Sequence, residues 1–182
     1  MMKTKTKKSL EFIALTGVGT ALFVVLSFCL QVPVFENYYL CLGYIAMAVY
    51  LYSFGITSGT IVGVLGVFIY CLLISGMRGM PGWALGNLFI GLCMGLTFKA
   101  VKKINNKPAQ YILNAVAAVA SSAFAMLVIK SVTEQLLYSQ PFLVRAAKNF
   151  YAFAADAFVL IIALPLCMTI DGLIQQKLKK NT

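Results

Sequence analysis

The chain has 182 residues, 61% of them hydrophobic and 11% charged, with a mean hydropathy of +0.89. Those values exclude a soluble globular domain and exceed what a single membrane anchor requires, so residues 1–182 read as one integral membrane domain. A net charge of +10 would suggest nucleic acid in a soluble protein, but here the cations stand at the ends of apolar segments, where lysine meets anionic lipid headgroups.

Most of the basic residues fall in three patches, Lys3 to Lys8, Lys99 to Lys107 and Lys177 to Lys180. Loops rich in lysine are retained on the cytoplasmic side, so the three patches are expected on one face with an even number of crossings between them. The apolar runs supply four and then two. A crossing helix needs about 20 apolar residues. On that measure the expected helices are 11–31, 39–54, 56–75, 82–101, 110–131 and 149–174. The fold class is thus an all-α, compact bundle of six transmembrane helices with both termini cytoplasmic.

The first segment is basic and then apolar from Phe12 to Leu30, longer than the apolar core of a signal peptide, and no A-x-A pattern precedes Pro33. It is expected to stay as a helix. Small side chains at Ala14, Gly17 and Ala21 lie on one of its faces, with Val18 beside them, and such a stripe lets another helix approach closely in lipid. The second helix is short. Its separation from the third rests on Ser53-Phe54-Gly55-Ile56-Thr57-Ser58-Gly59, an uncharged stretch rich in turn formers.

The expected outer connections are 32–38, 76–81 and 132–148. They carry scattered single charges with Tyr38 and Tyr39, as a ligand site at a membrane mouth requires, whereas the inner ones carry lysine clusters. The second includes Arg78, followed by a Pro81-Gly82 turn. Trp83 then opens the fourth helix with Asn87 one turn below on the same face. Arg78 suits an anionic or carbonyl group, Trp83 a planar ring, and Asn87 both donates and accepts. The third reads as a long link, of the kind that often serves as a lid, in which Val132, Leu136, Leu137 and Phe142 could form a short amphipathic helix lying on the bundle. Lys130 and Glu134, flanking its start, read as a self-neutralising i, i+4 pair.

Asp156 lies about two turns into the sixth helix, where a carboxylate must face the bundle interior, a partner or water. Asn149 and Tyr151 stand nearer the mouth. The five cysteines, Cys29, Cys41, Cys71, Cys93 and Cys167, have no C-x-x-C spacing and no histidine to join them. They read as packing thiols, with neither a metal nor a cofactor implied. There is no phosphate-binding G-x-x-x-x-G-K-[ST] loop and no nucleophile and base pair, so the chain does not read as an enzyme.

These features, with a first helix of the form Ile13-Ala14-Leu15-Thr16-Gly17-Val18-Gly19-Thr20-Ala21-Leu22-Phe23-Val24-Val25-Leu26, make the chain resemble the substrate-binding S component of an energy-coupling factor (ECF) transporter. The resemblance covers nearly the whole chain. It implies a multi-pass protein of a prokaryotic cell membrane that binds a small vitamin-like molecule, with transport powered by a transmembrane coupling (T) subunit and two ABC-type ATPases. It implies a contact with the coupling subunit through Ala14, Gly17, Val18 and Ala21, here without the strict Ala-x-x-x-Ala form. It also implies a ligand pocket near the outer face, for which the candidates are Arg78, Trp83, Asn87, Asp156, Asn149, Tyr151, Tyr38 and Tyr39. Riboflavin, pyridoxine, hydroxymethylpyrimidine and cobalamin are all open as cargo. The competing classes are an autonomous secondary carrier for a small polar solute and a non-transporting membrane assembly protein.

Overall fold

The computed structural model describes residues 2–29, 32–35, 38–75 and 80–180. Helix α1 spans Met2–Cys29 and is followed by a hairpin of β1 (Val32–Phe35) and β2 (Tyr38–Leu40), paired antiparallel with Pro33 opposite Tyr39. Helices α2 (Gly43–Phe54) and α3 (Ile56–Tyr70) come next, α3 ending in a wider π-type turn over Cys71–Ser75. Helix α4 spans Met80–Val101. Helix α5 (Lys107–Ala123) continues through a π-type stretch, Phe124–Lys130, into α6 (Ser131–Tyr138), and α7 runs from Phe142 to Lys180.

The expected break between the second and third helices falls at Gly55, whose φ of 95° and ψ of 175° suit only a residue without Cβ. At the other end of the chain the expectation of a long link over 132–148 is corrected. Only 139–141 separate α6 from α7. Ser139 takes a left-handed conformation (φ 52°) and its N–H caps Gln135 at 2.9 Å, after which Pro141 leads into α7. The polar residues that resemble loop are instead absorbed within the helices. Thr133 donates to the Ile129 carbonyl at 2.7 Å, and Glu134 turns inward to Arg145.

Close helix contacts are made through glycine, since in lipid dispersion between backbones replaces the missing hydrophobic drive. A Cβ on Gly19 of α1 would lie 2.6 Å from a Val62 methyl, and one on Gly95 of α4 would lie 2.7 Å from Ile56. Gly91 likewise faces Thr60, with a Cβ there 3.1 Å from the Thr60 Cα. Helix α3 is therefore clasped on two sides. Phe23, Tyr44, Met47, Leu51, Val62, Ile90, Met94, Met126 and Leu160 fill the core between these contacts.

One end of the bundle collects the lysines. Lys102 Nζ donates to the Tyr52 carbonyl at 2.6 Å, forms an ion pair with Asp171 at 3.1 Å and sits 4.1 Å from the centre of the Tyr52 ring. This joins the end of α2, the α4–α5 turn and the carboxyl-terminal half of α7. In α1, Phe23 is level with Gly43 and Gly66 while Gly19 is level with Tyr50 and Val62, so its amino terminus points to that same end. All three lysine-bearing segments thus share one side of the molecule. Among the described residues, five helices are long and apolar enough to cross a bilayer. The remaining one, α2, has 12 residues, about 18 Å of helix against a hydrocarbon core of about 30 Å.

The packing makes a direct stability prediction. Gly91→Leu drives a side chain into Thr60 and is expected to cost about 1–3 kcal/mol, lowering the melting temperature by about 2–4 °C per kcal/mol. Gly172→Ala, with nothing within 4 Å of the added carbon, is expected to leave the melt of detergent-purified protein unchanged.

Candidate functional site

The site is built at the end of the bundle opposite the lysines. Trp83 and Asn87 lie one turn apart on α4 and both turn inward, which brings them against α2 and α3. Asn87 is wholly buried, and each half of its amide is engaged. The Tyr44 hydroxyl donates to Asn87 Oδ1 at 2.6 Å, and Asn87 Nδ2 donates to the Gly63 carbonyl at 3.0 Å. Trp83 Nε1 in turn donates to the Tyr44 oxygen at 2.9 Å. These bonds fix the orientation of the asparagine amide, because reversing it would set Oδ1 against the Gly63 carbonyl, acceptor against acceptor. The rings are held edge-on by neighbours, Tyr44 by Phe23 at 6.0 Å and Trp83 by Tyr70 at 5.7 Å.

Asp156 of α7 is buried and within hydrogen-bonding reach of the Tyr44 hydroxyl. Its nearest cation is Lys130, which is also buried, with its stem against Gly82 and its ammonium 6.0 Å from the centre of the Trp83 ring. An isolated charge at such a position is costly, so the opposed pair accounts for both residues being there. A second polar cluster adjoins the first between α6 and α7. Glu134 Oε2 accepts from Arg145 Nε at 2.7 Å and from Asn149 Nδ2 at 3.1 Å, and Asn149 Nδ2 also reaches Ser131 Oγ at 3.0 Å. Side chains from five helical segments thus converge on one polar region inside an apolar bundle. Its acceptors and donors can hold a small polar molecule by exchanging internal bonds for bonds to it.

Of the residues singled out from the sequence, Trp83, Asn87 and Asp156 meet in the first cluster, and Asn149 belongs to the second. Tyr151 stands two residues further along α7. It is 38% exposed and packs edge-on against Phe150, 6.3 Å away, on the outward side of α7. Tyr39 lies 42% exposed on the hairpin. Arg78 lies outside the described residues, and of Tyr38 only the backbone is described. Lys130 and Glu134 attract each other across one turn, as expected, while Arg145 takes the hydrogen bond to Glu134 and the Lys130 ammonium also stands 6.0 Å from the centre of the Trp83 ring. Tyr44 was not legible: it is one of three tyrosines in α2, and only the tertiary contact with Asn87 distinguishes it.

A separate surface lies on α1. Thr16, Thr20, Phe23 and Ser27 turn inward, while Ala14, Val18 and Ala21 stay exposed and Gly17 has nothing within 4 Å of its Cβ position. Gly17, Thr20, Ala21, Leu65 and Ile69 help line an open apolar groove of about 530 Å³ between α1 and α3. The small-residue stripe is therefore uncovered by the described residues.

Comparison with known proteins bears on both features. A family model described as the S component of an ECF-type riboflavin transporter matches residues 7–171. Among curated proteins, UPF0397 proteins of Lactococcus lactis subsp. cremoris are similar. That of strain SK11 is 32% identical over 104 residues, covering 54% of each chain, and that of strain MG1363 is 31% identical over 94 residues, covering 50% of each. The chain thus spans about half the length of the curated relatives it matches. With the family model covering nearly all of its membrane-embedded bundle, the chain belongs to the S components of ECF-type riboflavin transporters, the vitamin-type substrate-binding subunits of these membrane transporters.

Proposed function

We propose that the chain captures a small vitamin-like molecule from outside the cell in the polar region around Asn87 and Asp156, and hands it to partner subunits that supply the energy for import. The observation that carries this reading is the Trp83–Tyr44–Asn87 hydrogen-bond chain with Asp156 against it, a buried cluster of polar groups placed at one end of an apolar bundle. A purely structural core in lipid gains little from such groups. A receptor needs them, because a bound solute must find donors and acceptors to replace its water. Membership of a riboflavin-transporter family makes riboflavin the first cargo to test, ahead of pyridoxine, hydroxymethylpyrimidine and cobalamin.

In this reading the lysine end faces the cytoplasm, six crossings separate the termini, and the short α2 spans only with the help of the helices around it. The open groove of α1 receives the coupling subunit, which in turn carries the two ATPases. Ligand capture and partner docking occupy different faces, and substitutions are expected to separate them.

Purified wild-type protein is expected to bind a B-group vitamin without ATP or any partner. Asn87→Ala and Asp156→Ala are each expected to weaken that binding by about tenfold or more while the protein remains folded, since each removes a buried hydrogen-bonding group worth about 1–3 kcal/mol. Isothermal titration supplies the test, and wild-type affinity in both variants would remove these residues from the site. Uptake into liposomes by the chain alone under an ion gradient would favour the secondary carrier instead.

Gly17→Leu fills the α1 groove without an internal clash. It is expected to abolish co-purification with the coupling subunit and leave ligand affinity within about twofold of wild type; retained co-purification would place the docking surface elsewhere.

A further inference from the structure

The hairpin of α6 and α7 is built the wrong way round for water. Its polar groups face inward: Glu134 Oε2 accepts from Arg145 Nε at 2.7 Å and from Asn149 Nδ2 at 3.1 Å, and Asn149 Nδ2 also reaches Ser131 Oγ at 3.0 Å. Its outward side is apolar. Leu136 is 78% exposed and Leu143 79%, with Leu137 and Val144 each more than half exposed. Of the three charged residues between Ser131 and Phe150, Glu134 and Arg145 are bonded to each other and Lys148 is half-buried. A hairpin standing in water would reverse this order, and one standing in an apolar medium requires it.

The height of the hairpin fixes which part of that medium it meets. Lys130 is level with Gly82, where an added Cβ would lie 3.3 Å from the Lys130 Cα. Helix α6 starts one residue later and leads away from α4, so the hairpin rises about 10 Å past the described start of α4. From Asp171, which pairs with Lys102 at the lysine end, α7 climbs about 42 Å to Leu143. That exceeds a hydrocarbon core of about 30 Å and matches the thickness of about 40–45 Å that includes the headgroups. The outward side is also continuous with the face that α5 turns to lipid, since Phe124, Val128 and Val132 are all exposed and lead up to Leu136.

We propose that the α6–α7 hairpin is an interfacial anchor, with Leu136, Leu137, Leu143 and Val144 immersed at the boundary between headgroups and acyl chains in the leaflet opposite the lysine end. Apolar side chains at that depth bind lipid in proportion to the area they bury. The turn beyond them, Ser139-Gln140-Pro141, carries no charge and offers a hydroxyl and an amide to the headgroup layer. The occupant of this surface is lipid, and the inference is independent of any cargo.

The test places a fluorescent dye on Leu143→Cys and, on the other arm, on Leu136→Cys, each in the full chain in phosphatidylcholine vesicles. Wild type labelled the same way supplies the baseline for the chain's own five cysteines. Both positions are so exposed that the substitutions are expected to leave the melt unchanged. Lipids with a nitroxide at the headgroup, near the top of the acyl chain or near its end report the depth of the dye, and iodide on both sides of the membrane reports its contact with water. Headgroup and upper-chain nitroxides are expected to quench at least about twofold more than the chain-end nitroxide, and iodide about fivefold less than it quenches the free dye. Iodide quenching equal to that of the free dye, with none from any lipid, would place the hairpin in water and overturn the proposal. Weak quenching by iodide and by every lipid would mean that a second copy covers the surface, and would overturn it too. So would strongest quenching from the chain end, which would sink the hairpin into the hydrocarbon.

Discussion

In an apolar bundle every inward-facing polar group must find its partner in the protein, and the hydroxyl of Tyr44 is where this requirement is met for four side chains at once. It donates to Asn87, accepts from Trp83 and lies within reach of Asp156. Remove it and the amide, the indole and the carboxylate all lose a partner in a place water does not readily reach. In the capture reading a ligand exchanges these bonds, which sets a demand on its chemistry: it must present donors and acceptors that match those it displaces.

The site depends in turn on how closely the helices approach. Asn87 reaches the Gly63 carbonyl of α3 only because α3 and α4 meet through Gly91 and Gly95, where any larger residue would collide with Thr60 or Ile56. Gly63 itself has Met47 of α2 where its Cβ would be. Glycine spacing in these helices is therefore part of the binding geometry as well as of the fold. At the opposite end Lys102 performs the corresponding task, gathering α2, α4 and α7 with one ammonium.

The membrane class, the helix order, the break at Gly55 and the gathering of lysines at one end were all legible in the chain, because each follows from hydropathy, charge or a glycine conformation. So were Trp83, Asn87 and Asp156, since a polar residue deep in an apolar run must have a partner. The partner's identity was not. Tyr44 carries no local mark that separates it from Tyr50 and Tyr52, and the pairing of Glu134 with Arg145 depends on a turn at Ser139 that folds α7 back along α6. A short amphipathic helix through Val132, Leu136 and Leu137 was legible, but its continuity with α5 was not, because sequence periodicity does not show which polar residues are satisfied from across a hairpin.

Two surfaces with different chemistry therefore divide the labour in this reading: a polar interior around Tyr44 that suits a small solute, and an open apolar groove on α1 that suits another membrane helix. The measurement that bears most directly on the division is a structure of the protein with its tightest-binding vitamin in place. The account predicts ligand atoms within hydrogen-bonding distance of Asn87 and Asp156, with the bond from Tyr44 to Asn87 opened or redirected to admit them. Ligand seated elsewhere, with the chain from Trp83 through Tyr44 to Asn87 intact, would contradict it.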